Sequence, residues 1–250
     1  MDFILTSDTV QVLNIRDSVF YDSGAQNFGT RSLLIGMSPG NGYFTEENMM
    51  HIIGGLCECA PKAYIVIPDL PHVNNFLGMG YPKDIAQRKA KKDINQTKNR
   101  LYRAIARLHE KNITNFCLLH WTESIASEHI FQDTLTQVMQ EYSLNKNFQH
   151  CINQVTQDYL LARSQGRTTL NMDVALGAIY YLEELALFAS QARLFGEKLT
   201  VAYYKKWGEG LEFIADLFPE FSADFSMIQY NLTQEDSVRS TIMELESADA

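Results

Sequence analysis

The chain has 250 residues, 46% hydrophobic and 20% charged, which gives enough apolar surface for one large domain with a real core and too much for a disordered chain. Its four cysteines, Cys57, Cys59, Cys117 and Cys151, lack both the paired spacing of a zinc site and the density of a disulfide framework, so they read as reduced thiols of a cytoplasmic protein. A net charge of −9 argues against a generally basic, polyanion-binding surface, and the opening MDFILTSDTV carries neither a basic signal-peptide region nor a span-length apolar run.

In chain order, residues 1–29 are a polar lead-in with weak strand character. Three short apolar runs follow, RSLLIGM at 31–37, AYIVIPD at 63–69 and NFCLLH at 115–120, and TVAYYK at 200–205 is a fourth. Such unbroken runs suit parallel strands covered on both faces. Helical periodicity marks 45–58, 83–111, 123–142, 147–163 and 171–194, the last opening on Asn171 as an Asx-type cap. Strands alternating with helices predict an α/β fold, Rossmann-like and doubly wound, its mostly parallel sheet flanked by helices and its ligands at the carboxyl ends of the strands. One catalytic domain is expected, with its core over 30–220, and the acidic stretch 233–250 reads as a loosely ordered tail.

The charge is unevenly spread. Between Lys83 and Arg107 nine basic residues stand against two acids, a window of +7 that leaves −16 for the rest of the chain. At about 100° per residue, Ala90, Ile94, Thr97, Leu101, Ala104, Ile105 and Leu108 fall on one stripe, with Arg88, Lys89, Lys92, Arg100, Arg103 and Arg107 opposite. A merely solvated helix intersperses Glu with Lys to gain i,i+4 pairs, and like charges crowded on one face cost stability unless a polyanion offsets them. These six cations are therefore candidate phosphate contacts, Arg as a fork and Lys as a point charge.

Gly36-Met37-Ser38-Pro39-Gly40 fits G-x-S-x-G, the strand-to-helix turn that exposes a nucleophilic serine in α/β-hydrolases. Such a hydrolase needs an acid and then a histidine later in the chain, but the last of the six histidines is His150. Further along, Tyr180 and Glu184 stand i,i+4 on one helix face, with Glu183 as a rival at i,i+3, and the strand TVAYYKKW presents Tyr203 and Tyr204 to opposite sides.

A serine in G-x-S-P-G-N (Gly36 to Asn41), an arginine-rich helix, Tyr180-x-x-x-Glu184 and a following tyrosine strand together resemble the cyclodipeptide synthases over residues 30–220. The resemblance implies an aminoacyltransferase related in fold to the catalytic domain of class I tyrosyl- and tryptophanyl-tRNA synthetases. Its substrates would be two aminoacyl-tRNAs and its product a cyclic dipeptide, a 2,5-diketopiperazine of secondary metabolism, reached by a ping-pong route through a seryl acyl-enzyme and a dipeptidyl-enzyme. The ATP-binding H-I-G-H and K-M-S-K-S elements of an adenylating synthetase do not occur in the chain. Since the ester is already activated, the resemblance implies no cofactor and no metal, and further a monomer with no membrane attachment.

Carried over by position, Ser38 is the expected nucleophile, Gly36 and Asn41 shape its site, Tyr180 and Glu184 hold the α-amino group, and Tyr204 relays a proton in cyclisation. Turn amides and the next helix N-terminus are the natural oxyanion donors. Leu34, Val66, Leu119 and Leu185 are candidate apolar liners of the acyl pocket, and the six cations become candidate tRNA contacts. Two positions depart from the family pattern: Ala186 stands where proline is often found, and Lys205 where histidine or proline usually follows the tyrosine. The alternatives are a serine esterase or hydrolase of the α/β type, which would turn over simple esters, and a non-catalytic tRNA-binding protein, which would bind charged tRNA without deacylating it.

Overall fold

The computed structural model describes residues 11–17, 31–164, 171–204, 210–219 and 226–234. Six strands of this part form one sheet: β1 (Gln11–Asp17), β2 (Ser32–Gly36), β3 (Ala63–Ile67), β4 (Phe116–His120), β5 (Leu199–Tyr203) and β6 (Ser226–Gln234), in the order β1-β6-β5-β2-β3-β4. β2 to β6 are parallel, and β1 pairs antiparallel with β6. The helices are α1 (Glu46–Cys59), α2 (His72–Gly78), α3 (Lys83–Glu110), α4 (His129–Leu144), α5 (Lys146–Ser164), α6 (Val174–Phe195) and α7 (Leu211–Leu217).

Alternation along each strand divides the core in two. Leu33, Ile35, Ala63, Ile65, Ile67 and Ala202 pack beneath Ile52, Ile53 and Leu56 of α1 and Leu101, Ala104 and Leu108 of α3. Leu34, Tyr64, Val66, Leu199 and Val201 face the other way, beneath Val138 of α4, Phe148 and Ile152 of α5, and Leu182 and Leu185 of α6. Burial on both faces is why the strands read as unbroken apolar runs. At roughly 1.5–3 kcal/mol for each fully buried Leu, Ile or Val, these strands outweigh the turns they carry and hold the turn residues in place.

The chain runs outward from β2 through β3 to β4, then returns to place β5 and β6 on the other side of β2. The reversal falls between β2 and β5, where a doubly wound sheet opens a crevice at its carboxyl edge.

Several expectations need correction. The helix around 171–194 begins at Val174, and its N-cap is Asp173, whose side chain accepts from the Leu176 N–H at 3.1 Å; Asn171 instead lays its carbonyl against Gly80. The helix expected from 123 starts at His129, after a π-helical turn over Trp121–Ile125. Thr233 and Gln234, placed in the acidic tail, end β6; residues 235–250 and Lys205 lie outside the described residues. No helix among the described residues is long and apolar enough to cross a membrane.

Candidate active site

Ser38 lies two residues beyond β2 and Tyr204 one residue beyond β5, and the two strands are parallel neighbours with Ile35 beside Ala202. The two turns therefore leave the sheet side by side. The half-buried Ser38 hydroxyl is hydrogen-bonded to the Tyr204 phenol, and Asn41 Nδ2 donates to the same oxygen at 2.8 Å. Asn41 Oδ1 meanwhile accepts from the Tyr43 N–H at 2.9 Å, an Asx turn that fixes the amide. The Tyr204 ring is clamped between Tyr43, stacked at 5.2 Å, and Phe44, edge-on at 5.2 Å.

Tyr180 and Glu184 reach the same place from α6. They are hydrogen-bonded to each other, and Glu184 and Tyr204 lie within electrostatic range. Burial pushes the Glu184 carboxyl up to about 7; the Tyr180 hydrogen bond opposes this and the Glu183 charge adds to it. Burial likewise lifts Tyr180 well above its ordinary value, with the Glu184 charge adding to the effect. Tyr204 rises to about 12, mainly through burial and the Glu184 charge, against hydrogen bonds from Ser38 and Asn41. At neutral pH the phenols are protonated and the carboxyl stands near its midpoint. Glu183 diverges toward the Trp121 indole, and burial takes it to about 7 as well.

Tyr203 packs with the opposite core from Tyr204, as strand alternation requires, yet its phenol comes within electrostatic reach of Tyr180. Both tyrosines border the site, where alternation alone allows one.

Four residues in this neighbourhood escape any local motif. Arg163 Nη1 donates to the Tyr159 phenol at 3.3 Å, and Tyr159 faces Glu184, Tyr180 and Tyr204 electrostatically. Arg163 Nη2 also donates to Asp93 Oδ2 at 2.5 Å. The same oxygen lies 3.3 Å from Nε2 of His72, which is 1% exposed and edge-on to Tyr180. Burial keeps this imidazole neutral, its pKa below the ordinary value. With Asn75 donating to Nδ1, the proton sits on Nε2 and is donated to Asp93. Burial would raise Asp93, but the His72 hydrogen bond and the Arg163 charge outweigh it and hold the carboxyl low. In the sequence Asp93 stands only as one of the two acids, with Asp84, in the basic window.

The Ser38 turn is fastened to α3. The Gly40 N–H donates to Thr97 Oγ1 at 3.3 Å, and at φ +69° a side chain on Gly40 would collide with both Asp93 and Arg163. The turn amides expected as oxyanion donors are thus partly committed: Gly40 to Thr97, and Asn41 to the Ser38 carbonyl at 3.4 Å. α1 begins only at Glu46, capped by Thr45, so its N-terminus does not directly follow the serine. At Gly36, the last residue of β2, a Cβ would meet nothing within 4 Å, so the space at this strand end is open.

Leu34, Val66 and Leu185 share one cluster at 2% exposure or less, as core; Leu119 keeps partial exposure against it. The basic residues divide into two groups. Arg103 and Arg107 are drawn to Glu46 and Glu47 of α1, Arg107 Nη1 reaching Glu47 at 2.7 Å, and Arg100 donates to the Phe44 carbonyl at 3.4 Å. Arg88 makes only a long, exposed contact of 3.8 Å with Asp84, Lys89 lies over the Tyr81 ring, and Lys92 is exposed. Among the described residues no group of three or more His, Cys, Asp or Glu is placed to hold a metal ion.

Fold and site together place a serine hydroxyl, a clamped phenol and a buried Tyr–Glu pair with its carboxyl near neutrality at the topological switch point of a Rossmann-like α/β sheet. A family model described as cyclodipeptide synthase matches residues 28–217, and the chain belongs to that family. It is 20% identical over 186 residues to the cyclo(L-leucyl-L-leucyl) synthase of Bacillus subtilis (strain 168), covering 72% of this chain and 73% of that protein. Its fold is similar to the CDPS of Staphylococcus haemolyticus, with a TM-score of 0.72 at 16% identity over 88% of this chain and 99% of the other. It is also similar to the cyclodipeptide synthase of Candidatus Glomeribacter gigasporarum solved bound to Phe-tRNAPhe, with a TM-score of 0.55 at 18% identity over 84% and 91% of the two chains.

Proposed function

We propose that the enzyme joins the aminoacyl groups of two aminoacyl-tRNAs into a cyclic dipeptide, with Ser38 as the covalent carrier. The observation behind this reading is the convergence of the Ser38 hydroxyl, the Tyr204 phenol with its Asn41 donor, and the Tyr180–Glu184 pair at one strand-end site.

In the first half-reaction Ser38 Oγ attacks the ester carbonyl, the bond to the tRNA ribose oxygen breaks, and the serine proton ends on the departing hydroxyl. Tyr204 is the group through which that proton can pass, since the phenol touches Oγ and remains protonated at neutral pH. An oxygen ester needs less activation than an amide, which fits a serine whose partner is a phenol. The α-amine of the seryl-bound residue then attacks the second ester, releasing the second tRNA and leaving a dipeptide on Ser38. Ionised Glu184 accepts a proton from the attacking amine and Tyr180 orients the carboxylate; the new N-terminal amine then closes the ring, the acyl–Oγ bond breaks, and the proton lost by the amine returns to Ser38 Oγ through Tyr204. The open space at Gly36 and the partly exposed Leu119 suit a hydrophobic acyl group, while Leu34, Val66 and Leu185 stay in the core.

Expression in a bacterium, with mass spectrometry of the medium, tests the reading. Wild type is expected to release a diketopiperazine that is lost with Ser38→Ala; product from the alanine variant, or turnover of simple esters without tRNA, contradicts it.

A further inference from the structure

β6 outruns its neighbour. Its pairing with β5 ends where Tyr203 lies beside Gln229, but the strand continues to Gln234 with β1 on its far side. Past Gln229 its inner edge has no strand partner among the described residues, and a side chain from the loop after Ser38 takes that place: the Leu232 N–H donates to the Tyr43 hydroxyl at 3.3 Å. This anchoring strand lies beyond residue 217, where the match to the family model stops.

Tyr43 is held at each of its polar groups. Its N–H donates to Asn41 Oδ1 at 2.9 Å, its carbonyl accepts from Asn48 Nδ2 at 2.7 Å, and its hydroxyl accepts from β6. Two routes lead from it to Tyr204. One is the ring, which stacks on the Tyr204 ring at 5.2 Å and 19°. The other is Asn41, whose amide, fixed at Oδ1 by Tyr43, aims Nδ2 at the Tyr204 oxygen. Stacked rings tolerate a range of offsets, so a stack alone does not fix a phenol, whereas a hydrogen bond at the far end of one ring does. We propose that Tyr43, tethered to β6 through its hydroxyl, is a positioning residue that holds the Tyr204 phenol against Ser38 Oγ. This makes β6 part of the support of the site, and it rests on the reading of Ser38 as the acyl carrier.

The same cluster supplies a matched control. Tyr230, also on β6, is fully buried in the cluster against which Tyr43 and Tyr204 pack, and its hydroxyl meets no partner among the described residues. Removing that oxygen breaks no hydrogen bond and relieves an unpaired buried hydroxyl. The test compares full-length wild type, Tyr43→Phe and Tyr230→Phe by rapid-quench acyl-enzyme formation on charged tRNA, steady-state kinetics, Tm and amide hydrogen exchange at Leu232. Tyr43→Phe is expected to acylate about tenfold more slowly per folded molecule, with KM within about twofold, and to exchange the Leu232 amide faster. Tyr230→Phe should keep the wild-type rate and exchange, with Tm equal to or above that of wild type. A wild-type acylation rate in Tyr43→Phe, or the same slowing in both variants, overturns the proposal while acyl-enzyme on the wild-type protein still supports the reaction. If wild type forms no acyl-enzyme, the reading of Ser38 falls and the positioning role falls with it.

Discussion

Glu183 and Glu184 are adjacent in sequence, yet one turns to an indole and the other to a phenol beside the serine. Both carboxyls rise to about 7, above their ordinary 4.5, because the fold removes water from them. A raised folded-state value means that the fold favours the protonated form: the associated stability is complete below 4.5 and is lost as pH rises through about 7. In the proposed mechanism catalysis has the opposite sign, since only ionised Glu184 can take a proton from an amine. The rate with charged tRNA is therefore expected to rise about tenfold per pH unit below 7 and level off above it, and Glu184→Gln should flatten that limb and lower the rate by about 10²-fold or more. A pH–rate profile of the two proteins checks this; an unchanged limb in the glutamine variant assigns the titration to another group.

At the scale of elements, the site depends on how closely α2 approaches α6. A Cβ on Gly78 would stand 2.6 Å from the Gly177 Cα and 2.8 Å from its nitrogen, backbone atoms that cannot rotate aside. α2 carries His72, which packs edge-on to Tyr180, so a wider crossing moves the tyrosine that orients Glu184. Gly78→Ala is expected to cost about 1–3 kcal/mol, lowering Tm by roughly 2–4 °C per kcal/mol, and to reduce activity beyond the loss of folded protein. Calorimetry alongside activity per folded molecule separates the two effects, and an alanine variant with wild-type Tm contradicts the crossing geometry.

Element by element, legibility followed the strength of the local period. The α3 stripe was readable because Ala90, Thr97, Leu101, Ala104 and Leu108 recur at helical spacing, and all five are buried. The central strands were readable because burial on both faces leaves them almost wholly apolar, Ser32 and Thr200 being the buried hydroxyls among them. The π-helical turn at Trp121–Ile125 was not, since its residues carry the same mixed pattern as a helix start, and α2 is too short at seven residues to show a period. β6 went unseen because SMIQYNLTQ mixes apolar and amide residues near the sheet edge, between β5 and the outermost strand β1.

Across the whole molecule, one topological fact places the candidate site: the strand order reverses between β2 and β5, and the serine and phenol follow those two strands. Ser38, Asn41, Tyr180, Glu184 and Tyr204 could be picked out in the sequence because each stands in a short local pattern. His72, Asp93 and Arg163 could not, because they meet across 21 and 70 positions of chain and only the packing of α2, α3 and α5 brings them together. The same long-range geometry divides the basic run, which looked uniform in sequence: α1 carboxylates pair with Arg103 and Arg107, while Lys89 and Lys92 line a cleft beside Gly40.

The central claim is that the acyl group rides on Ser38, and intact-protein mass spectrometry after acid-quenching a brief reaction with charged tRNA tests it most directly. The account predicts wild-type protein heavier by one aminoacyl residue, with the adduct mapping to the peptide containing Ser38 and absent from Ser38→Ala. An adduct of the same mass on the alanine variant, or cyclic dipeptide formed by that variant, would contradict it.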